Sequence, residues 1–184
     1  MIIRFFDITF SMIGMVLLFP IALIIYFLGF VDSKNPLFLQ KRIGRYKKPF
    51  ILVKFRTMKF DTKSVASHLA DSDSITRLGR FLRRTKLDEI PQLWNVLLGD
   101  MSIVGPRPGL FSQDDLTTAR ELHGVFNYRP GITGLAQISN IDMSTPLLLA
   151  QTDEEMINTM SLKNYFRYIF LTVIGRGRGD RIKS

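Results

Sequence analysis

The chain has 184 residues, of which 46% are hydrophobic and 11% aromatic, enough apolar material for one folded domain, and this excludes a disordered chain. It contains no cysteine, which excludes disulfides, thiolate metal sites and a cysteine nucleophile. The formal net charge is +9, and a small basic chain first suggests a protein that binds nucleic acid or an anionic membrane.

An apolar segment of 22 residues, Phe10 to Val31, carries no charged side chain. About 20 such residues suffice for a helix to cross the core of a bilayer. A cleaved signal peptide fits poorly, because the apolar segment is long and lacks both a basic leader and a small-residue cleavage site. A buried core helix is disfavoured because the segment is apolar on every face. The sequence therefore predicts a membrane-embedded helix within residues 1–33.

Pro20 lies near the middle of this segment and predicts a kink or a break in the helix. A kinked helix that spans the bilayer would place the N-terminus outside, by the positive-inside rule. A re-entrant helix would turn back at Pro20 and leave both ends on the cytoplasmic face. These physical arguments leave both topologies open.

The excess of positive charge lies in residues 32–60, where nine cations face Asp32 as the single acid. The cations are Lys34, Lys41, Arg42, Arg45, Lys47, Lys48, Lys54, Arg56 and Lys59. Either topology places this segment at the cytoplasmic surface, where Lys and Arg are attracted to anionic lipid. The charge therefore predicts a membrane partner. Nucleic acid is disfavoured, because only Tyr46 and Phe50 supply aromatic rings beside the cluster at 41–48.

Residues 34–184 are predicted to form one compact domain, mixed α/β and mainly helical. The predicted elements are a strand at 49–58 with alternation around Phe50, Leu52, Lys54 and Arg56, a polar loop at 61–75, and a short basic helix at 77–84. A further helix is predicted to end at Gly99, with an apolar face formed by Ile90, Leu93, Trp94, Leu97 and Leu98. Because Pro91 is tolerated only in a first turn, that helix is predicted to start at Glu89, with Asp88 at or near the N-cap.

The adjacent acids Asp88 and Glu89 are the strongest candidates for a functional site. Such a pair alone usually marks a solvated face or a helix cap. Here it follows Arg83, Arg84 and Lys86 and opens a helix, and cations beside a helix N-terminus form an anion site. This setting favours an ionised carboxylate and, next to it, a phosphate or a phosphate-bound Mg²⁺.

Two turns downstream also suggest a phosphate site, although each alone is typical of an ordinary tight turn. Residues 105–108, Gly-Pro-Arg-Pro, present Arg107, whose planar guanidinium suits a phosphate. Residues 129–134, Arg-Pro-Gly-Ile-Thr-Gly, carry glycines of the kind found where backbone comes close to a ligand.

Three motifs together closely resemble the bacterial sugar transferase family, the monotopic phosphoglycosyl transferases. They are KFRTM (54–58), LGRFLRRTKLDEIPQLWNVLLGDMSIVGPRPG (78–109) and RPGITGLAQ (129–137). With the apolar N-terminus, the resemblance runs from about residue 4 to about residue 140. It implies transfer of a sugar-1-phosphate from a UDP-sugar to undecaprenyl phosphate, with release of UMP and a requirement for Mg²⁺. The implied location is the cytoplasmic face of the bacterial inner membrane.

The resemblance also implies roles for individual residues. Asp88 would be the nucleophile that forms a phosphosugar–aspartyl intermediate. Glu89 would position metal or phosphate or handle a proton, so that Asp88 and Glu89 form the metal site. The expected partners of the diphosphate are Lys54, Arg56, Arg83 and Arg107. Arg129 and Gln137 would bind substrate or support the second turn.

Members of the family use a re-entrant helix broken at a Ser-Pro pair, where this chain has Phe19-Pro20. The resemblance thus predicts re-entry, although the serine hydroxyl that could bond a freed carbonyl is absent. A second departure follows RPGITGLAQ: residues 138–146 read ISNIDMSTP where many relatives continue with a Gly-Arg pair, so a contact to the sugar is expected to differ here. An N-acetylated amino sugar is expected. The sequence leaves open the exact sugar, the glycan pathway and the oligomeric state, a homo-oligomer included.

Residues 161–174 predict a helix with an apolar, partly aromatic face, suited equally to the membrane interface and to packing on the domain. His68 and His123 stand apart from any metal-ligand spacing and are expected to be ordinary residues. The rival function is a non-catalytic membrane scaffold, for which Asp88 and Glu89 would be dispensable.

Overall fold

The computed structural model describes residues 2–62 and 72–177, which form a mixed α/β, mainly helical fold. The helices are α1 (Ile2–Ser33), α2 (Arg77–Thr85), α3 (Gln92–Leu98), α4 (Asp114–Leu122), α5 (Leu135–Ile138), α6 (Pro146–Asn158) and α7 (Leu162–Val173). The strands are β1 (Leu37–Ile43), β2 (Pro49–Phe55), β3 (Ser102–Val104) and β4 (Gly131–Thr133). His68 and most of the predicted loop at 61–75 lie outside the described residues.

Helix α1 has 32 residues and is long and apolar enough to cross a membrane, as judged by length and composition. It continues through Pro20, so the break predicted at this proline is not confirmed. Proline removes one backbone donor, the one that would bond the carbonyl of Val16, and the flanking turns remain helical.

One face of α1 lies against the rest of the protein and is buried near the two ends of the helix. The buried residues recur every three or four positions or at multiples of that spacing: Asp7, Ser11, Ile25, Gly29 and Ser33. The opposite face exposes large apolar side chains, among them Val16, Leu17 and Phe27. Because both groups of buried residues follow helical spacing, one face of α1 packs on the domain at the beginning and at the end of the helix.

Two charged residues anchor the beginning of α1. Asp7 is 2% exposed and accepts three hydrogen bonds, from Ser102 Oγ (3.0 Å), the Ile103 amide (2.9 Å) and the Tyr165 hydroxyl (2.9 Å). Arg4 donates to the carbonyls of Leu97 and Met101 at 3.2 and 3.3 Å. Burial and the neighbouring Asp7 raise the pKa of Tyr165 well above its ordinary value, so this phenol stays a hydrogen-bond donor.

Strands β1 and β2 form an antiparallel hairpin in which Phe38 lies opposite Lys54 and Arg42 opposite Phe50. The predicted strand at 49–58 is thus confirmed as Pro49–Phe55, with Phe50, Leu52 and Lys54 on its buried side. Strand β1 was not predicted. Because Arg42 and Lys54 are both buried, the cationic segment at 32–60 is not a uniform surface that faces lipid.

The predicted apolar face of α3 is confirmed only in part: Ile90, Leu93 and Leu97 are half-buried, and the helix ends at Gly99 in the left-handed conformation as predicted. Trp94 and Leu98 are 50% and 60% exposed, while Gln92, Asn95 and Val96 are buried. The reason is a polar contact: the Asn95 side chain donates to the Ile51 carbonyl (2.7 Å) and accepts from the Val53 amide (3.0 Å). The buried amide completes the edge of β2, so this polar side of α3 packs on the strand and leaves Trp94 and Leu98 exposed.

Helix α7 packs on the domain, which is one of the two alternatives that the sequence left open. Tyr165 and Tyr168 are buried in a cluster with Val104 and Met156, so one face packs on the domain. The other side exposes apolar residues, including Phe170 at 63% and Val173 at 79%.

Candidate active site

The candidate nucleophile lies in a tight turn between two helices. Helix α2 ends at Thr85, Lys86 takes the left-handed conformation (φ 58°), and Leu87–Glu89 form a single 3₁₀ turn. Asp88 is 6% exposed inside this turn. The predicted position of Asp88 at the N-cap of α3 is wrong, because α3 begins only at Gln92, after Pro91. The turn itself, rather than a helix N-terminus, presents the two carboxylates.

The predicted turn at 105–108 reaches this acidic pair. Arg107 Nη2 forms an ion pair with Glu89 Oε1 at 3.1 Å, with both side chains largely buried. Burial lowers the pKa of Lys86, the nearby Glu89 carboxylate raises it, and the Arg107 guanidinium lowers it further. Charges of both signs thus share one small volume around Asp88, as a site for a charged ligand requires.

Strand β2 brings Lys54 to the same region. Lys54 is 8% exposed, and its ammonium lies 5.5 Å from the centre of the Phe38 ring. The next residue, Phe55, packs in a cluster with Ile25 and Leu82, against which Leu87 and Ile90 also pack. The strand therefore lies directly beside the turn that holds Asp88.

Helix α2 is fixed onto the KFRTM segment through Thr57, a residue for which the sequence predicted no role. Arg83 Nε donates to Thr57 Oγ1 at 2.8 Å. A side chain at Gly79 would overlap the backbone of Thr57, so glycine allows α2 to approach this closely. Arg83 Nη1 is buried and finds no hydrogen-bond acceptor among the described residues, which leaves a donor for an anionic ligand.

Arg56 is engaged mainly with its own hairpin. Its Nε donates to the Asn35 carbonyl at 2.9 Å and its Nη2 to the Leu37 carbonyl at 3.3 Å. The guanidinium also lies over the rings of Phe38 and Phe60. These contacts hold the entry to β1 against the exit of β2, and burial lowers the pKa of Arg56.

The glycines of the two predicted turns contact each other, which corrects the expectation that they leave room for a ligand. A side chain at Gly131 would overlap the backbone of Gly105, and one at Gly105 would lie 2.5 Å from the Arg129 carbonyl oxygen. Strands β3 and β4 are parallel here, with Val104 opposite Thr133. The glycines are needed because two backbone segments cross in contact.

All five backbone carbonyls of the turn at 105–109 accept hydrogen bonds from residues outside the turn. They accept from Gln137 Nε2 (3.4 Å), the Gly131 amide (2.8 Å), Arg120 Nη1 (2.7 Å), Arg42 Nη1 (2.9 Å) and the Ile43 amide (3.0 Å), in chain order. Prolines at 106 and 108 have no N–H of their own, so the turn depends on these donors. This arrangement fixes the backbone from which Arg107 projects.

Of the two remaining predicted residues, Gln137 lies beside the turn at 105–109, and Arg129 lies away from Asp88. Gln137 touches the turn through Gly105, and its Oε1 is buried without a hydrogen-bond donor among the residues described. Arg129 instead donates to the Gly99 carbonyl at 2.8 Å, at the end of α3 opposite to Asp88. Burial and the nearby cations Arg4 and Arg45 lower the pKa of Arg129.

The donor set fits Mg²⁺ that binds together with a phosphate. Within the described ranges, no three or more His, Asp or Glu side chains cluster as a metal cage. Asp88 and Glu89 offer two adjacent carboxylates, and Mg²⁺ is commonly held by one or two carboxylates plus substrate phosphates. His123 pairs with Glu154 at 2.6 Å, in line with the ordinary role expected of it.

The sequence matches one family model and is similar to several named proteins. A family model described as "Bacterial sugar transferase" matches residues 1–177. The chain is 38% identical over 180 residues to a "UDP-glucose:undecaprenyl-phosphate glucose-1-phosphate transferase" of Caulobacter vibrioides, covering 92% of this chain and 67% of that protein. It is 36% identical over 196 residues to the "Exopolysaccharide production protein PSS" of Rhizobium leguminosarum bv. phaseoli, covering 96% of both.

Several relatives are much longer than this chain. It is 32% identical over 191 residues to a "UDP-galactose-lipid carrier transferase" of Erwinia amylovora, covering 92% of this chain. The match spans 40% of that relative's length, and 40% of an uncharacterized sugar transferase of Haemophilus influenzae.

Proposed function

Because the chain belongs to the bacterial sugar transferase family, we propose that it transfers a sugar-1-phosphate from a UDP-sugar to undecaprenyl phosphate and releases UMP. The observation that carries this proposal is the grouping around Asp88. A buried carboxylate lies in a tight turn beside the Glu89–Arg107 ion pair, and Lys54 and Arg83 lie on the two neighbouring elements. Such a grouping suits a diphosphate, whose charge the cations would neutralise.

The proposed reaction has two displacements at the phosphorus that bears the sugar. In the first, a carboxylate oxygen of Asp88 forms a bond to this phosphorus, and the bond to the bridging oxygen breaks so that UMP leaves with the electron pair. In the second, an oxygen of undecaprenyl phosphate attacks the same phosphorus and releases the Asp88 carboxylate. Covalent catalysis of this kind divides one difficult transfer into two easier ones.

The surrounding residues would act mainly through charge. Arg107 and the free N–H of Arg83 would stabilise the negative charge that develops on the phosphate oxygens. Lys54, on the buried side of β2, would contact the diphosphate. Arg56 would contribute positive charge from the edge of the hairpin. Gln137 would contact the substrate through its buried oxygen, and Arg129 would act at a distance by supporting α3.

Mg²⁺ would be held by Asp88 and Glu89 together with the diphosphate. When bound, the ion would neutralise phosphate charge and orient the leaving group. Because Glu89 Oε1 already pairs with Arg107, this carboxylate would also fix Arg107 relative to the metal.

We test the function by measuring UMP release in detergent or nanodiscs with Mg²⁺ and undecaprenyl phosphate. The donor panel is UDP-glucose, UDP-galactose, UDP-GlcNAc and UDP-GalNAc. We expect release over repeated turnovers to require donor, acceptor and Mg²⁺, and we expect the N-acetylated donors to be preferred. Folded protein that releases no UMP from any donor would contradict the transferase and favour the non-catalytic scaffold.

We also propose that α1 enters and leaves the membrane on the cytoplasmic side, although it continues through Pro20. The support comes from contacts at both ends of the helix. Arg4 bonds the carbonyls of residues 97 and 101, while Ile25 packs with Phe55 and Leu82 of the same domain. A helix that crossed a core of about 30 Å would carry one of these ends away from the domain.

Cysteine labelling tests this topology, because the chain has no cysteine of its own. Ile2→Cys reports the start of α1, and Leu122→Cys, 81% exposed on α4, reports the domain. We expect a membrane-impermeant maleimide to label neither variant in intact cells and both after permeabilisation. Labelling of Ile2→Cys alone in intact cells would establish a spanning helix. Labelling in detergent is the control for reactivity.

A further inference from the structure

The pair Arg120 and Asp153 is buried but lies outside the proposed chemistry. Arg120 on α4 is 3% exposed, and Asp153 on α6 is 0% exposed. Arg120 Nε and Nη2 donate to the same atom, Asp153 Oδ2, at 3.0 and 2.7 Å. The third donor of the guanidinium, Nη1, bonds the Arg107 carbonyl at 2.7 Å. One side chain therefore joins α6 to the backbone of a predicted active-site residue.

Stability alone explains this pair poorly. Removing two charges from water costs several kcal/mol each, and a hydrophobic pair of similar volume often does as well. Asp153 Oδ1 is buried and has no donor among the described residues, and burial raises the pKa of this carboxyl against the opposing effect of Arg120. Because Asp153 Oδ1 makes no such hydrogen bond, positioning of neighbouring groups explains the pair better than stabilisation of the fold does.

The geometry leads from Asp153 to the carboxylates in three steps. Asp153 orients the Arg120 guanidinium, which holds the Arg107 carbonyl, and Arg107 then reaches Glu89 at 3.1 Å. Arg42 does the same for the next carbonyl, that of Pro108, at 2.9 Å. Two buried arginines thus hold consecutive peptide groups in a turn whose prolines lack N–H donors.

We propose that Arg120, oriented by Asp153, is a positioning residue for Arg107. It acts by holding the Arg107 backbone so that the side chain meets Glu89 and the substrate diphosphate. The inference rests on the proposed function in so far as Arg107 contacts a diphosphate. A small misplacement of such a charge costs up to about 100-fold in rate.

Two conservative variants separate positioning from simple ion pairing. Arg120→Lys keeps the positive charge beside Asp153, but one ammonium cannot replace all three guanidinium donors in their fixed directions. Asp153→Asn removes the ion pair but keeps an oxygen that can accept both bonds now made to Oδ2. Positioning therefore predicts that Arg120→Lys is the more damaging of the two for turnover. An ion pair that serves stability alone predicts that Asp153→Asn lowers the melting temperature more, with kcat per folded protein unchanged in both variants.

We would measure kcat for UMP release per folded protein, with folding followed by thermal melts. We expect Arg120→Lys to lower kcat about 10-fold or more, and Asp153→Asn by about 3-fold or less. In an Arg107→Ala background, Arg120→Lys should add no further loss beyond about 2-fold, because the group it positions is gone. Glu121→Gln is the control, since it removes an exposed ion pair with Lys47 from the same helix.

Hydrogen exchange gives a second measurement that does not depend on turnover. Arg120→Lys should speed exchange in the peptide that contains residues 105–109, whereas Asp153→Asn and Glu121→Gln should not. Unchanged exchange in Arg120→Lys would overturn the inference even if the wild-type protein released no UMP. In an active protein, losses from Arg120→Lys and Arg107→Ala that multiply in the double variant would also overturn it. Failure of the proposed function is distinguishable from failure of this inference, because it would be seen as wild-type protein that releases no UMP.

Discussion

Asp88→Asn should lower UMP release by about 1,000-fold or more. The amide has nearly the shape of the carboxylate and can keep the 3₁₀ turn at 87–89, but its oxygen is a poor nucleophile toward phosphorus. The measurement is kcat with saturating UDP-sugar, undecaprenyl phosphate and Mg²⁺, on protein whose thermal melt matches that of the wild type. Asp115→Asn, the same change at an exposed position of α4, is the control and should stay within about 2-fold.

Turnover by Asp88→Asn within about 10-fold of the wild type would contradict covalent catalysis at this residue. It would favour direct attack of the lipid phosphate on the UDP-sugar, with the acids limited to binding metal. Because Asp88 is buried in the turn, the comparison is informative only for folded protein, which the melts establish.

Arg107→Ala should lower kcat by about 100- to 1,000-fold, the range typical of removing one preorganised charge from a transition state. Two sources of this loss are expected. The proposed neutralisation of the departing UMP by the guanidinium is removed, and Glu89 loses its partner at 3.1 Å. Arg107→Lys should recover part of the rate, because an ammonium restores the charge but not the planar pair of donors.

Steady-state kinetics on both Arg107 variants checks this expectation, with Arg167→Ala on the exposed side of α7 as the matched control. A kcat for Arg107→Ala within about 5-fold of the wild type would show that the turn at 105–108 supports the fold rather than the chemistry.

Local patterns predicted those parts of the site that depend on near neighbours in the chain. Alternation along 49–58 placed Lys54 on the buried side of β2, and the basic segment 77–84 marked α2. Gly99 marked the end of α3 because only a residue tolerant of positive φ suits that position. The adjacent acids Asp88 and Glu89 were recognisable from their motif.

The remaining contacts join residues far apart in the sequence, and no short-range pattern reports them. Asp7 meets Tyr165 across nearly the whole chain, and Arg120 meets Asp153 from a different helix. Asn95 bonds the open edge of β2, so a polar side of α3 is buried that the apolar pattern did not predict. Polar residues that are buried in pairs look in the sequence like ordinary surface residues, which is why hydrophobic periodicity does not single them out.

The most direct test of the account is whether the phosphosugar becomes attached to Asp88. The protein is incubated with Mg²⁺ and the UDP-sugar that supports turnover, labelled at the phosphorus next to the sugar, without undecaprenyl phosphate. We predict label on the intact wild-type protein, located by mass spectrometry at Asp88, absent from Asp88→Asn and discharged when undecaprenyl phosphate is added. Turnover by a wild-type protein that never carries this label, under quenching fast enough to resolve a single turnover, would contradict the covalent mechanism.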